Sequence, residues 1–355
     1  MRILVAMSGG VDSSTVAGLL HEAGHDVVGV TLQLYDHGVA TGRKGACCAG
    51  QDIHDARRVA DHLGIPHYVI DAEKRFANAV IQDFADGYAA GETPVPCIRC
   101  NQTVKFADLT ALAEGLGCER LATGHYVRRI NGDDGAELHQ AADPERDQSW
   151  FLFATTSDQL TRTLFPLGDM PSKQTVRAHA ERLGLPVATK PDSQDICFVA
   201  SGTYTDTVLR LRPDAGEPGD IVARDGRVLG RHDGIARFTV GQRKRLGIAA
   251  TDRGRHQTVI ELDPATRRVV VGSRDAGTHR VRLREVNWLL PQRAAPVVCS
   301  VKMRAREILR PATVIASQDD RADVTLDAPA LPAPGQACVF YQGSRVLGGG
   351  IICRA

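Results

Sequence analysis

The sequence predicts an α/β protein: a doubly wound parallel-sheet domain, then a small central domain and a C-terminal β-barrel. Three observations point there. The chain starts with an apolar run, Ile3-Leu4-Val5-Ala6-Met7, followed by the polar turn Ser8-Gly9-Gly10-Val11-Asp12-Ser13-Ser14 and a helical pattern. Strand-like runs then alternate with helical periods over roughly the first 200 residues, the signature of parallel strands joined by crossover helices. Past Tyr204 the helical periods give way to short β-like runs split by turn dipeptides such as Asp225-Gly226, Asp233-Gly234 and Gln342-Gly343. The expected boundaries are 1–205, 206–278 and 279–355.

Each element has its own warrant. Apolar residues 3–7 read as a strand buried on both faces. Residues 15–23 carry Val16, Ala17, Leu19, Leu20 and Ala23 at helical spacing, and Gly24 sits where a helix ends. Residues 27–34 and 67–71 read as strands, with a helix over 51–63 closed by Gly64 and Pro66. Residues 36–50 form a long, glycine-rich loop containing Cys47 and Cys48, a length that suggests a substrate-facing segment. Phe76, Val80, Ile81 and Phe84 mark another helix, followed by a proline-bounded loop over 91–101. A helix over 104–116, a strand at 120–123, a turn at 131–134 and helices over 158–164 and 172–183 complete the first part. In the last part, residues 297–303, 312–317, 322–326 and 337–341 read as strands, a spacing that suits a small closed barrel.

The chain has 355 residues and a mass of 38.2 kDa, room for two or three domains with substantial cores. No apolar run approaches the roughly 18–20 residues of a membrane span. The first strand begins within two residues of Met1, so no secretory leader is expected. Nine cysteines, an odd number, then point to a cytoplasmic protein whose thiols react rather than staple. The net charge of +1 conceals an asymmetry: residues 1–205 carry 18 Lys and Arg against 26 Asp and Glu, whereas 206–355 carry 25 against 16. A basic second half suits a polyanionic partner.

The turn after the first strand lies beyond the carboxyl end of that strand, where open α/β sheets bind ligands. Glycines let backbone N–H groups converge on an anion, serine hydroxyls add donors, and the helix N-terminus adds positive partial charge. An ordinary βα turn does not need this many fixed polar positions, so the stretch reads as a phosphate cradle. It is not a Walker A loop, because no lysine follows Gly10. Ser8-Gly9-Gly10-Val11-Asp12-Ser13 resembles the PP-loop of the ATP pyrophosphatases.

Cys97-Ile98-Arg99-Cys100 is a C-x-x-C whose meaning is open between a metal site, a redox pair and nothing. Cys197 lies far downstream in a polar stretch that is a poor setting for a core cysteine. The resemblance then becomes specific. Ser8–Ser13, Pro96 with Cys100-Asn101, Ala122-Thr123-Gly124-His125-Tyr126, Asp147-Gln148-Ser149, Asp192-Ser193 with Ile196-Cys197-Phe198, Gly241-Gln242-Arg243-Lys244 and Gly348-Gly349-Gly350-Ile351-Ile352 occur in the order found in the tRNA-specific 2-thiouridylases. The chain resembles that family over essentially its whole length.

That resemblance implies a function and a set of residues. The enzymes replace the 2-oxygen of the wobble uridine with sulfur, using ATP and Mg²⁺ and releasing AMP and pyrophosphate. It assigns ATP binding to Ala6, Met7, Ser8, Gly9, Gly10, Val11, Asp12, Ser13, Leu32 and Gly124, with Asp12 the expected Mg²⁺ carboxylate. It makes Cys197 the persulfide carrier and Cys100 its partner in thiol–disulfide exchange. Low thiolate pKa values would help both steps, and Lys190, Arg99 and Lys105 are close in sequence. Val95, Pro96 and Cys97 would touch the target base, and His125, Arg146, Asp147, Gln148, Arg304, Ala305 and Gln336 the tRNA anticodon stem-loop. Arg243, Lys244, Arg245, Lys302 and Arg306 are further candidate phosphate contacts. A sulfur-donor protein, a desulfurase or relay carrier, is the second implied partner, and no membrane is involved.

One departure opens an alternative. Many family members carry Asp where this chain has Cys97, and Cys97, Cys100 and Cys197 together are enough to ligate a 4Fe–4S cluster with one iron open. Two rival functions share part of the pattern. A different PP-loop adenylating enzyme explains Ser8–Ser13 but not the two thiols with the basic β half. A non-catalytic RNA-binding or sulfur-carrier protein predicts no ATP-dependent pyrophosphate release.

Overall fold

A computed structural model describes residues 1–35, 48–192, 196–199, 203–249, 251–252, 255–273, 277–290 and 295–354. The loop expected over 36–50 lies largely outside the described residues, as does Ser193. The chain divides into two compact units. The first comprises Met1–Ala79, Cys97–Ser201 and Gly343–Leu347, the second Val80–Pro96, Gly202–Gln342 and Gly348–Ala355.

The first unit is built on five parallel strands: β1 (Arg2–Ala6), β2 (Asp26–Gln33), β3 (His67–Asp71), β4 (Arg120–Ala122) and β7 (Thr163–Leu164). Their order is β3-β2-β1-β4-β7. Ile3, Leu4 and Val5 are fully buried, as a central parallel strand requires. The chain runs from β1 to one side and then returns to the other, so the gap between β1 and β4 is the switch point at which such sheets bind ligands. Helix α1 (Val11–Glu22) follows β1. It begins four residues earlier than expected, because Gly10 adopts an extended N-cap conformation (φ −91°, ψ 165°), which places Asp12, Ser13 and Ser14 on the helix itself. Val16, Ala17 and Leu20 of α1 share a core with Ala56, Val59 and Ala60 of α2 (Cys48–Leu63). A hairpin of β5 (Val127–Gly132) and β6 (Gly135–Gln140) leaves the sheet, and Arg345 and Val346 pair with His139 and Leu138.

Residues 73–115 are more helical than expected. Helix α3 (Glu73–Phe76) continues through a π turn into α4 (Gln82–Ala89). The C-x-x-C expected in a loop instead forms α5 (Pro96–Cys100), which runs through a π turn into α6 (Phe106–Gly115). Pro96 occupies the first helical position, where a missing N–H costs nothing. Helix α7 (Ser157–Arg162) opens with a Thr156–Gln159 capping box, and α8 (Lys173–Arg182) is capped at its N-terminus by the Ser172 hydroxyl.

The second unit contains helix α9 (Tyr204–Leu211), against which α4 packs through the Tyr88–Tyr204 ring pair, 4.9 Å between centroids. A four-stranded sheet follows, built from β8 (Gly219–Ala223) and β9 (Val228–His232), with β12 (Thr258–Asp263) and β13 (Arg268–Gly272) beyond the short ribbon β10 (Thr251–Asp252) and β11 (Arg255–His256). Ile221, Phe238, Val259 and Val269 fill its core. The C-terminal strands are β14 (Thr278–Trp288), β15 (Val297–Lys302), β16 (Arg310–Ser317), β17 (Arg321–Ala330), β18 (Ala337–Gln342) and β19 (Arg345–Ile352). Their order, β14-β17-β16-β15-β18-β19, closes on itself through β14–β19 pairing, so the expected barrel forms. Among the described residues no helix is long and apolar enough to cross a membrane.

Candidate functional site

The site sits at the switch point of the first unit. Gly9 turns with φ +73°, and a Cβ there would lie 2.1 Å from the Asp52 carbonyl oxygen, so only glycine fits. The Ser13 hydroxyl accepts from the Ser8 N–H at 3.0 Å and lies 3.2 Å from the Ser8 hydroxyl, fixing the turn. No side chain caps α1, so no side-chain acceptor occupies its N-terminus, an end that favours anions. Gly124, just beyond β4, approaches so closely that a Cβ would lie 2.9 Å from the Ser13 nitrogen.

Between these elements is a cavity of about 240 Å³. Ala6, Met7, Ser8, Asp12, Ser13, Leu32 and Gly124 of the expected ATP residues line it, whereas Gly9, Gly10 and Val11 shape the turn behind. Val30, Leu32, Leu34, Phe106 and Leu109 give it an apolar wall, suited to the flat face of a nucleobase. His125 and Gln148, expected at the tRNA, line the same cavity. The His125 Nδ1 lies 2.9 Å from the Thr123 hydroxyl, and its ring stacks on Phe106 at 6.1 Å. Burial, reinforced by the Lys105 charge, pushes its pKa down to about 3, so it acts as a neutral imidazole.

Behind the cradle lies a charge network that the motifs do not announce. Lys173, buried at the start of α8, places Nζ 2.8 and 2.7 Å from the two Asp12 carboxylate oxygens and 2.9 Å from Asp192 Oδ1. The Tyr126 hydroxyl donates to Asp12 Oδ1 at 2.6 Å. Asp192 also pairs with Arg146 at 2.9 Å and Arg177 at 3.1 Å. Burial works against the Asp192 carboxylate, but Lys173, Arg146 and Arg177 outweigh it and hold its pKa below the usual range. Lys190 donates to the Gly9 carbonyl at 3.0 Å and pairs with Asp52 and Asp55 at 2.7 and 2.6 Å. It therefore braces the Ser8–Ser13 turn.

Cys97 is exposed on α5, and Cys100, one helical turn on, is buried; Cys197 keeps an exposed face. All three are free thiols, and each of Cys97 and Cys100 lies close enough to Cys197 for their charges to interact. The lowered pKa values that would help the thiols are not found. Burial raises Cys100, and burial together with the Cys100 charge pushes Cys197 up to about 12, while Lys105 pulls both the other way. Lys105 is thus a shared cation, lining the cavity and acting on both thiols. Among the described residues no three His, Cys, Asp or Glu side chains gather as a metal site. The iron–sulfur alternative thus has no assembled ligand set among the described residues.

The remaining tRNA candidates separate into two groups. In the first unit, the Asp147 carboxylate accepts from Ala141 N, Ser149 N and the Ser149 hydroxyl, which makes it a turn organiser. Gln148 Oε1 accepts from Tyr126 N, and Arg146 is exposed. In the second unit, Gln336 donates to the Thr93 carbonyl at 2.8 Å, and Arg284 clasps Glu92 at 2.8 and 3.2 Å. These bonds fix the segment leading to half-buried Val95 and buried Pro96. Arg304 donates to the Val240 carbonyl at 3.1 Å, beside the exposed run Arg243-Lys244-Arg245, and Arg306 is exposed nearby in sequence. Ala305 is half-buried, and the Lys302 ammonium sits 5.5 Å from the Tyr341 ring centre.

Three family descriptions match successive parts of the chain. Residues 1–201 match a tRNA methyl transferase HUP domain, 206–273 the corresponding PRC-barrel domain and 278–352 an aminomethyltransferase beta-barrel domain. The tRNA-specific 2-thiouridylase MnmA of Acidiphilium cryptum is 66% identical over 352 residues, covering 99% of this chain and all of that protein. The protein of the same name from Gluconobacter oxydans is 61% identical over 357 residues, covering 99% of both chains. That from Rhodospirillum centenum is 60% identical, covering all of this chain and 92% of its own.

Proposed function

This chain belongs to the tRNA-specific 2-thiouridylase family, and on that premise we propose that it exchanges the C2 oxygen of the wobble uridine of tRNA for sulfur at the expense of ATP. A carbonyl oxygen is a poor leaving group. The uridine O2 attacks the α-phosphorus of ATP held between the Ser8–Ser13 turn and the apolar wall, and pyrophosphate departs through the cradle. The terminal sulfur of a Cys197 persulfide then attacks C2, and AMP leaves with the former O2. Cys100 attacks the Cys197 sulfur, which releases the thiolated base and forms a Cys100–Cys197 disulfide. A thiol reductant resets the pair, and a sulfur-donor protein reloads Cys197.

The observation that carries this reading is the single cavity in which Ser8, Asp12, Ser13 and Gly124 meet His125, Gln148 and Lys105, the cation shared by both thiols. Asp12 is the carboxylate on the described cavity wall, and one carboxylate with nucleotide phosphates is the usual donor set for Mg²⁺. Mg²⁺ bound there would neutralise charge on the departing pyrophosphate. A base can reach such a site only when splayed from a loop, as the anticodon permits. Three working parts, 1–205 for chemistry and 206–278 and 279–355 for tRNA, in a cytoplasmic enzyme complete the proposal.

The test is mass analysis of tRNA nucleosides after incubation with ATP, Mg²⁺ and a sulfur source. Intact protein should yield 2-thiouridine, while Cys197→Ala should yield none and still release pyrophosphate in the presence of tRNA. Thiolation that persists in Cys197→Ala would refute the assignment.

A further inference from the structure

We propose that Lys173 is the positioning cation of the nucleotide site, acting through Asp12 to let a polyphosphate approach a wall that carries a carboxylate. The proposal rests on the reading of the cavity as an ATP site.

The phosphate turn contains no lysine, yet it must hold a highly charged leaving group. Asp12 lies on the cavity wall with its side chain 31% exposed, and by itself it would repel the phosphates. Lys173, 161 residues downstream, meets both Asp12 oxygens at 2.7–2.8 Å from the protein side, its own side chain only 8% exposed. Its third contact, Asp192, is shared with Arg146 and Arg177. The cluster therefore contains three cations and two carboxylates, an excess of one positive charge directly behind the helix N-terminus. Lys190 cannot substitute, since it is occupied by the Gly9 carbonyl, Asp52 and Asp55. The Tyr126 hydroxyl bond and the ammonium held 5.8 Å from the Tyr126 ring centre restrict Asp12 to one orientation. Removing the lysine would leave Asp12 as an uncompensated charge at the place where phosphate must sit.

The experiment measures binding of AMPPNP in EDTA, so that no Mg²⁺ can replace the missing cation. Lys173→Met should bind at least 10-fold more weakly than the parent, and Lys173→Arg should stay within a few-fold of it. The double variant Asp12→Asn/Lys173→Met should recover most of the loss, because the charge to be compensated is gone. A merely structural lysine predicts no such rescue. Lys173→Gln, which keeps amide donors and removes the charge, replaces the methionine variant if that protein does not fold. Unchanged binding in the folded Lys173 variants, or a double variant no better than the single, overturns the proposal. Failure of the parent itself to bind AMPPNP would instead overturn the ATP reading.

Discussion

At the scale of residues, the two thiols are the most demanding feature of the account. Persulfide and disulfide chemistry needs thiolates, yet Cys100 is raised and Cys197 is pushed up to about 12. A raised pKa keeps the proton on sulfur at neutral pH, so both cysteines rest as thiols, and the thiolate fraction grows about tenfold per pH unit until the pKa is reached. Alkylation of Cys197 by iodoacetamide, followed by peptide mass spectrometry, should therefore keep accelerating from pH 7 to pH 10 without a plateau. A plateau below pH 8 would show that the thiol is activated at rest. Cys100 and Cys197 stood out in the sequence by their motifs, but the burial that raises their pKa values did not. Proximity in sequence made Lys190 and Arg99 look like activating cations; in the fold, Lys190 bonds to the Gly9 carbonyl and Arg99 contacts Gln102, leaving Lys105. Lys173 and Tyr126 as partners of Asp12 were not legible for a similar reason. No local pattern reveals a contact between residues 161 positions apart.

Among the elements, the strand and helix at the N-terminus were legible from hydrophobic period and glycine placement, which are local signals, but the helix start was missed by four residues because Gly10 ends the turn early. The short helix at Pro96–Cys100 was not legible. Two prolines and a C-x-x-C look like a loop, and only the continuation into the helices beyond, with Val104 and Phe106 buried, makes the segment helical. The segment before it has a checkable role. Arg284 clasps Glu92 and Gln336 holds Thr93, which fixes the approach to Val95 and Pro96. Arg284→Ala should raise the apparent KM for tRNA several-fold and leave ATP binding unchanged. The stability cost should stay near ~1 kcal/mol, because the pair is only partly buried. Steady-state kinetics with each substrate varied in turn checks this. An equal effect on ATP would mean that the clasp supports the first unit instead.

For the whole molecule, charge distribution and texture were the informative signals. The shift to β periods announced the barrel, although it was placed one helix too early, since α9 starts at Tyr204; the predicted barrel runs all fall within observed strands apart from Met303 at one end. Pairing order was not legible, because barrel closure through β14 and β19 depends on non-local register. The basic second half predicts a measurable salt dependence: the logarithm of the tRNA association constant should fall linearly with log salt. Neutralising Arg243, Lys244 and Arg245 together should reduce the slope by roughly one per residue that touches phosphate. An unchanged slope would remove that run from the tRNA interface. The account as a whole depends on the nucleotide clamp and the thiols serving one pyrimidine, and the most direct measurement follows the oxygen that leaves it. With ¹⁸O placed at C2 of the target uridine, a single turnover should deliver the label to the phosphate of AMP, one atom per thiolated base. Thiolated tRNA formed alongside unlabelled AMP would contradict adenylation of the base, and with it the central claim.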